Sequence, residues 1–125
     1  MDVEIGRVLL VVGRLLLGGL FVFGGVHHLF IIPAIMEAMI ARGVPAARLV
    51  LLAGSAFQFV AGLLLMIGVF VAPAALGLVV FTLAASIMLL NFWDMEGPAR
   101  EAARNVWQSN LAIIGGLLIA AAHAI

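Results

Sequence analysis

The chain contains no cysteine and no lysine, and only 10% of its 125 residues are charged. Without cysteine it can form no disulfide relay, thiolate nucleophile, iron–sulfur cluster or cysteine-ligated zinc site. A redox role would therefore require a bound cofactor. The arginines do not cluster and the formal net charge is zero, so the sequence lacks the basic surface that binds nucleic acid.

Long apolar runs account for most of the chain. Hydrophobic residues make up 66% of the sequence and the mean hydropathy is +1.34, whereas about half of a soluble domain is apolar. Runs of about 20 residues, the length that crosses a bilayer, occur at roughly 5–29, 46–70, 72–91 and 104–124. The sequence therefore predicts an all-α integral membrane protein, a four-helix up-and-down bundle in which residues 1–125 form a single domain.

The connections between the spans alternate in length. Between the first and second spans, the sequence from Pro33 to Arg42 predicts a short amphipathic interfacial helix, with Pro33 at its first position and Gly43 at its end. Gly97 is the expected cap and Pro98 the expected first residue of the fourth helix, which begins outside the hydrocarbon. Four spans place both chain ends on one side of the membrane and the two longer loops on the other.

The sequence offers few suitably placed ligands for a metal ion or a haem. The carboxylates beyond the N-terminal segment fall where contact with water and headgroups is expected: Glu37, Asp94, Glu96 and Glu101. His123 lies at the opposite end of the bundle from His27 and His28, so two imidazoles do not face one haem within a protomer. We predict no metal ligands and assign no catalytic residue.

One stripe of the first span combines polar ends with glycine. At about 100° per residue its members share a helix face: Arg14, Gly18, Phe21, Gly25 and His28. His27 points nearly the opposite way. We expect the glycines either to seat a neighbouring helix or to leave space for a ligand beside a buried polar lining. Alternatively, Arg14 extends back to the membrane surface and His28 only caps a helix end.

Five polar residues are candidates for a ligand site: Arg14, His28, Gln58, Asn91 and Asn110. Gln58 lies near the middle of the second span and is the predicted partner of Arg14. Asn91 and Asn110 belong to the same membrane half as His28, so these three side chains are expected to converge. The alternative for each amide is a hydrogen bond between helices or at a helix end.

The sequence also carries a family pattern. Its parts are Gly13 to Gly18, Gly25 to Phe30, Pro33, Met39 to Pro45, Gly62 to Leu65, Gly68, Asn91 to Trp93, and Asn110 to Leu118. Together they resemble the DoxX family of small bacterial membrane proteins. The resemblance implies a four-helix inner-membrane protein. It also implies a link to oxidoreductases, since relatives include membrane subunits of thiosulfate:quinone oxidoreductase and proteins of oxidative-stress complexes.

Two positions depart from the family pattern. Members often have an acidic residue where this chain has Gln58, and a histidine where it has Asn91. The resemblance therefore does not extend to proton transfer at these positions.

The expected function is that of a quinone-associated membrane subunit. In this hypothesis Arg14, Gln58, His28 and Asn110 hold a quinone-like head group, without a covalent cofactor, and a partner supplies the electrons. The expected partners are membrane lipids, a soluble or membrane-bound oxidoreductase subunit, and a second copy of the chain. The alternative is a non-catalytic scaffold or a small-solute permeation module.

The arginine distribution predicts the orientation in the membrane. Four arginines lie in or beside the long loops: Arg42, Arg48, Arg100 and Arg104. Only Arg7 clearly flanks the other side, so we expect the loops in the cytoplasm and both termini in the periplasm. Single cysteines at Ala38 and Met95 should resist a membrane-impermeant thiol reagent applied to intact cells. Labelling at either position would reverse the orientation.

Overall fold

The structure, a computed structural model, describes residues 2–125 as helices joined by short connections. The helices are α1 Asp2–Phe30, α2 Ile32–Ala41, α3 Ala47–Ile67, α4 Val71–Leu89 and α5 Gly97–Ala124, with one 3₁₀ turn at Phe92–Asp94. All but α2 and the 3₁₀ turn are long and apolar enough to cross a membrane. The predicted all-α membrane bundle is confirmed.

The helix ends follow the glycines and prolines of the sequence. Gly68 has a left-handed φ of +89°, and the N–H groups of Gly68 and Val69 both donate to Leu64 O, at 2.8 and 3.0 Å. This arrangement ends α3 before residue 70, the expected end of the span. Helix α5 begins at Gly97, one residue before the predicted first position at Pro98 and well before the apolar run at 104. The interfacial helix α2 begins and ends one residue earlier than the predicted 33–42.

Helices α1 and α3 run antiparallel with their backbones in contact. A Cβ built on Gly62 would lie only 2.8 Å from Gly18 O, and one built on Gly25 would lie 3.0 Å from Ser55 O. Glycine permits this approach because any side chain would hold the helices apart. The glycines of the stripe were expected either to seat a neighbouring helix or to leave space for a ligand. They seat a helix, because α3 occupies the space beside Gly18 and Gly25.

The deepest part of the core joins α3, α4 and α5. Leu65, Leu78 and Leu117, one from each helix, are completely inaccessible, and Phe21 of α1 packs against the same cluster. A smaller cluster around the buried Met39 fixes α2 against the beginning of α3 and the end of α4. The long helices thus share one apolar core, with the short helix attached at one end.

The bundle has two chemically different ends. The terminal face contains the N-terminal part of α1, the α3–α4 turn at 68–70 and the end of α5; the loop face contains α2 and the 3₁₀ turn. At the loop face, Trp107 Nε1 donates to Leu90 O at 2.7 Å and its ring packs edge-on against Phe92 and Trp93. This aromatic group ties α5 to the end of α4 at the loop face, and tryptophan is the residue expected at a membrane–water interface.

The α1–α3 contact predicts that alanine substitution at two neighbouring glycines will change stability differently. Gly18→Ala places a methyl group against the Gly62 carbonyl, so we expect a loss of about 1–3 kcal/mol of stability through overpacking. Gly19→Ala, the matched control, meets no atom within 4 Å and should leave stability unchanged or slightly raised. Thermal unfolding of the variants in one detergent measures the difference. Equal stabilities would contradict the close contact.

Candidate functional site

A partly polar cavity, the loop-half cavity, lies between the helices in the half of the bundle next to the loop face. Its volume is about 370 Å³. The polar lining comes from α1, α3, α4 and α5: His28, Ser55, Gln58, Thr82 and Asn110. Three of the residues singled out from the sequence, His28, Gln58 and Asn110, therefore surround a single space.

The cavity exists because the helices pack in two pairs. Helix α1 packs closely along α3, and α4 along α5, while α3 and α4 touch less extensively. Phe57 and Phe81 separate α3 from α4, with ring centroids 6.2 Å apart and each ring resting on a glycine of the opposite helix. The lining includes Val50 and Ala84, which are exposed, so the cavity reaches the outer surface between these two helices.

One wall of the cavity is held by a contact between α1 and α3. His28 Nδ1 and Ser55 Oγ share a hydrogen bond of 3.2 Å, and Ser55 is buried. Ser55 is placed there by the glycine contact, because its own carbonyl lies against Gly25. The imidazole is thereby fixed at the cavity wall.

The opposite wall is held by a chain of hydrogen bonds between α5 and α4. Asn110 Nδ2 donates to Ser86 Oγ at 2.8 Å, and Ser86 Oγ donates to Thr82 O at 2.7 Å. Ser86 is almost completely inaccessible, so the middle of this chain is shielded from both lipid and water. Asn110 therefore positions the wall as well as lining it.

Two buried polar atoms beside the cavity have no partner. Within residues 2–125, Gln58 Oε1 and Thr82 Oγ1 form no hydrogen bond, although each residue is only 6% exposed. Leaving such a group unpaired costs roughly 1–3 kcal/mol. Unpaired buried groups are rare in native proteins and call for a specific explanation. Both residues line the same cavity, so a molecule within it is the simplest partner.

The predicted contact between Arg14 and Gln58 is wrong. The Arg14 guanidinium lies over Gly68, where an added Cβ would be 2.8 Å from Nη1, whereas the Gln58 amide lies against Gly24. Residues 58 and 68 are about 15 Å apart along α3. The glycine contact sets this register, and it places Arg14 at the carbonyl end of α3, where the helix dipole favours a cation. Arg14 thus lies toward the terminal face, as the alternative reading of the stripe expected.

Asn91 also lies outside the cavity. Helix α4 ends at Leu89, so Asn91 falls in the connection at the loop face, where its Oδ1 accepts from Arg42 Nε at 3.0 Å. Arg42 Nη1 also donates to Ala38 O at 2.9 Å. Asn91 consequently anchors the end of α2 to α4, and the predicted convergence holds for His28 and Asn110 only.

Thr82 and Ser86 were not singled out from the sequence. They are the only polar side chains of α4, and their spacing of four residues puts them on one helix face. Leu78, one turn earlier on that face, is completely buried. This pattern was the available signal that α4 turns a polar edge toward the interior.

The fold and the cavity define a small multi-pass membrane protein with a polar space inside a four-helix bundle. The DoxX family model matches residues 9–91, about two thirds of the chain, and the protein belongs to this family. It is 26% identical over 115 residues to the inner membrane protein YphA of Escherichia coli strain K12, covering 91% of this chain and 81% of YphA. No solved structure matches the chain.

Two double-mutant cycles test the arrangement of these polar residues. Asn110→Leu and Ser86→Ala remove the two ends of one hydrogen bond, so their effects should be coupled by about 0.6 kcal/mol, the average for polar contacts between membrane helices. Arg14→Leu and Gln58→Leu affect separated sites, so their effects should add to within about 0.5 kcal/mol. Unfolding in detergent measures both cycles. Coupling in the second pair alone would contradict the register described here.

Proposed function

We propose that this DoxX-family protein is a quinone-associated membrane subunit, which binds a quinone-like head group in the loop-half cavity. The observation that carries the proposal is the pair of unpaired atoms, Gln58 Oε1 and Thr82 Oγ1, beside one intramembrane space. The link to an oxidoreductase or oxidative-stress complex rests on the sequence resemblance.

The polar lining suits the chemistry of both oxidation states of such a ligand. The Thr82 hydroxyl and the Gln58 amide N–H are donors that match carbonyl oxygens, while Gln58 Oε1 is an acceptor that matches a hydroxyl of the reduced form. His28, held by Ser55, adds a ring nitrogen at the wall. A bound quinone would supply redox chemistry, and these side chains would bind and orient it.

The apolar lining suits a ring with a lipid-soluble tail. Phe21, Phe81 and Met88 offer aromatic and polarisable surface to a planar ring. The volume of about 370 Å³ falls within the range of small-molecule sites. The exposed rim at Val50 and Ala84 would allow a tail to extend into the bilayer between α3 and α4. The ligand could thus enter from the membrane without crossing the bundle.

The geometry does not favour the permeation alternative. The inaccessible side chains of Leu65, Leu78 and Leu117 fill the bundle between the cavity and the terminal face. Within the described residues, the polar lining therefore stops halfway through the bundle, and a hydrophilic solute would meet a packed apolar core.

Substitution of the unpaired groups separates a binding role from a structural one. Thr82→Val keeps the shape of the side chain and removes an unsatisfied buried hydroxyl. The unliganded bundle should therefore be as stable as the parent or up to about 1–3 kcal/mol more stable. Affinity for a short-tailed ubiquinone should fall about tenfold, which corresponds to 1.4 kcal/mol. Gln58→Met should likewise keep or raise the stability of the unliganded bundle and lower its affinity for the quinone.

Titration calorimetry and thermal unfolding in one detergent measure both effects. Asn91→Leu is the control, because Asn91 lies in the same half of the protein but outside the cavity. Its affinity should match that of the parent. A parent that binds no quinone, or that co-purifies with a protein partner and no lipid-soluble cofactor, would contradict the proposal and favour the scaffold alternative.

A further inference from the structure

A second cavity opens at the terminal face, on the far side of the apolar core from the first. It measures about 440 Å³ and lies among α1, the turn between α3 and α4, and the end of α5. Its lining contains two nitrogen-bearing basic side chains, Arg14 and His123, and no aspartate or glutamate. His123 comes from the last turn of α5, so the two basic groups approach the space from different helices.

Arg14 lines this space, and one of its donors lacks an acceptor among the described residues. Its Nε is completely inaccessible and forms no hydrogen bond within residues 2–125. The guanidinium is held against Gly68, where a Cβ would come within 2.8–3.0 Å of Nη1, Cζ and Nη2. Arginine stays protonated in proteins and offers its donors in a rigid fork suited to oxyanions. An arginine that lines a cavity without carboxylates is therefore suited to binding an anion.

The beginning of α4 adds backbone donors to the same wall. Val71 and Ala72 both line the cavity, and no side chain caps this helix end. The first hydrogen bond at this end is from Ala74 N to Phe70 O, so the N–H groups of Val71 and Ala72 precede the helical ladder. Val71 is only 7% exposed. Such groups, at the positive end of a helix dipole, attract oxyanions.

We propose that this cavity binds a phosphate group through Arg14, His123 and the first turn of α4. The phosphate belongs either to a membrane phospholipid or to a free phosphate ion. The position favours the phospholipid, because the cavity lies at the end of three membrane-crossing helices, where headgroups are found, and its remaining wall is apolar. The site is independent of the quinone proposal, since different residues form it.

Native mass spectrometry of the detergent-solubilised protein tests the site. The probes are phosphatidylglycerol and diacylglycerol, which share acyl chains but differ in the phosphate. We expect one phosphatidylglycerol to be retained at least tenfold more than diacylglycerol. Arg14→Gln should lower this retention at least tenfold, and Arg14→Lys should lower it less, since lysine keeps the charge but not the fork.

Arg48→Gln is the matched control, because Arg48 is an exposed arginine at the opposite face, and its retention should equal that of the parent. Circular dichroism verifies folding. If Arg14→Gln does not fold, His123→Gln replaces it, with retention again expected to fall.

Competition with inorganic phosphate identifies the source of the group. Displacement of the lipid at millimolar phosphate, with thermal stabilisation by phosphate alone, supports the free ion. Resistance to phosphate supports the lipid headgroup. Equal retention of the two lipids, or unchanged retention in both the Arg14 and the His123 variants, would overturn the proposal.

Discussion

The contact between the backbones of Gly18 and Gly62 sets the geometry on which the rest of the structure depends. It fixes the register of α1 against α3, because these are the positions where the helices come closest. From that register follow the hydrogen bond between His28 and Ser55 at one end and the seat of Arg14 over Gly68 at the other. A bulkier residue at either glycine would displace both polar regions together.

The sequence was sufficient to predict the helices but not how they meet. Hydropathy and the caps at Pro33 and Gly97 located every span to within a few residues, apart from the extended start of α5. Helical periodicity also placed Arg14 and His28 on the face that packs against α3. The register between α1 and α3 is a tertiary property, however, and the sequence alone does not determine it. The predicted contact between Arg14 and Gln58 is therefore absent, since Arg14 lies over Gly68 and Gln58 against Gly24. Thr82 escaped notice because a single hydroxyl in an apolar helix commonly bonds its own backbone.

The polar groups that line cavities lie in two regions, the loop-face half of the bundle and the terminal face, and the inaccessible leucines of α3, α4 and α5 lie between them. The lining of the loop-half cavity offers amide, hydroxyl and imidazole groups, as suits an uncharged ring, whereas the lining of the terminal-face cavity includes an arginine, as suits an anion. One fold thus offers two chemically different spaces, each reachable from the membrane or its surface.

The most direct test of a ligand role for the loop-half cavity is photo-crosslinking with an azido-quinone in native membranes, followed by mass spectrometry of the peptides. We expect adducts in α3 near residues 54–58 and in α4 near residues 81–85, and we expect excess unlabelled quinone to suppress them. Adducts confined to lipid-facing residues such as Leu16 or Ile119, or labelling that excess quinone does not suppress, would contradict this role.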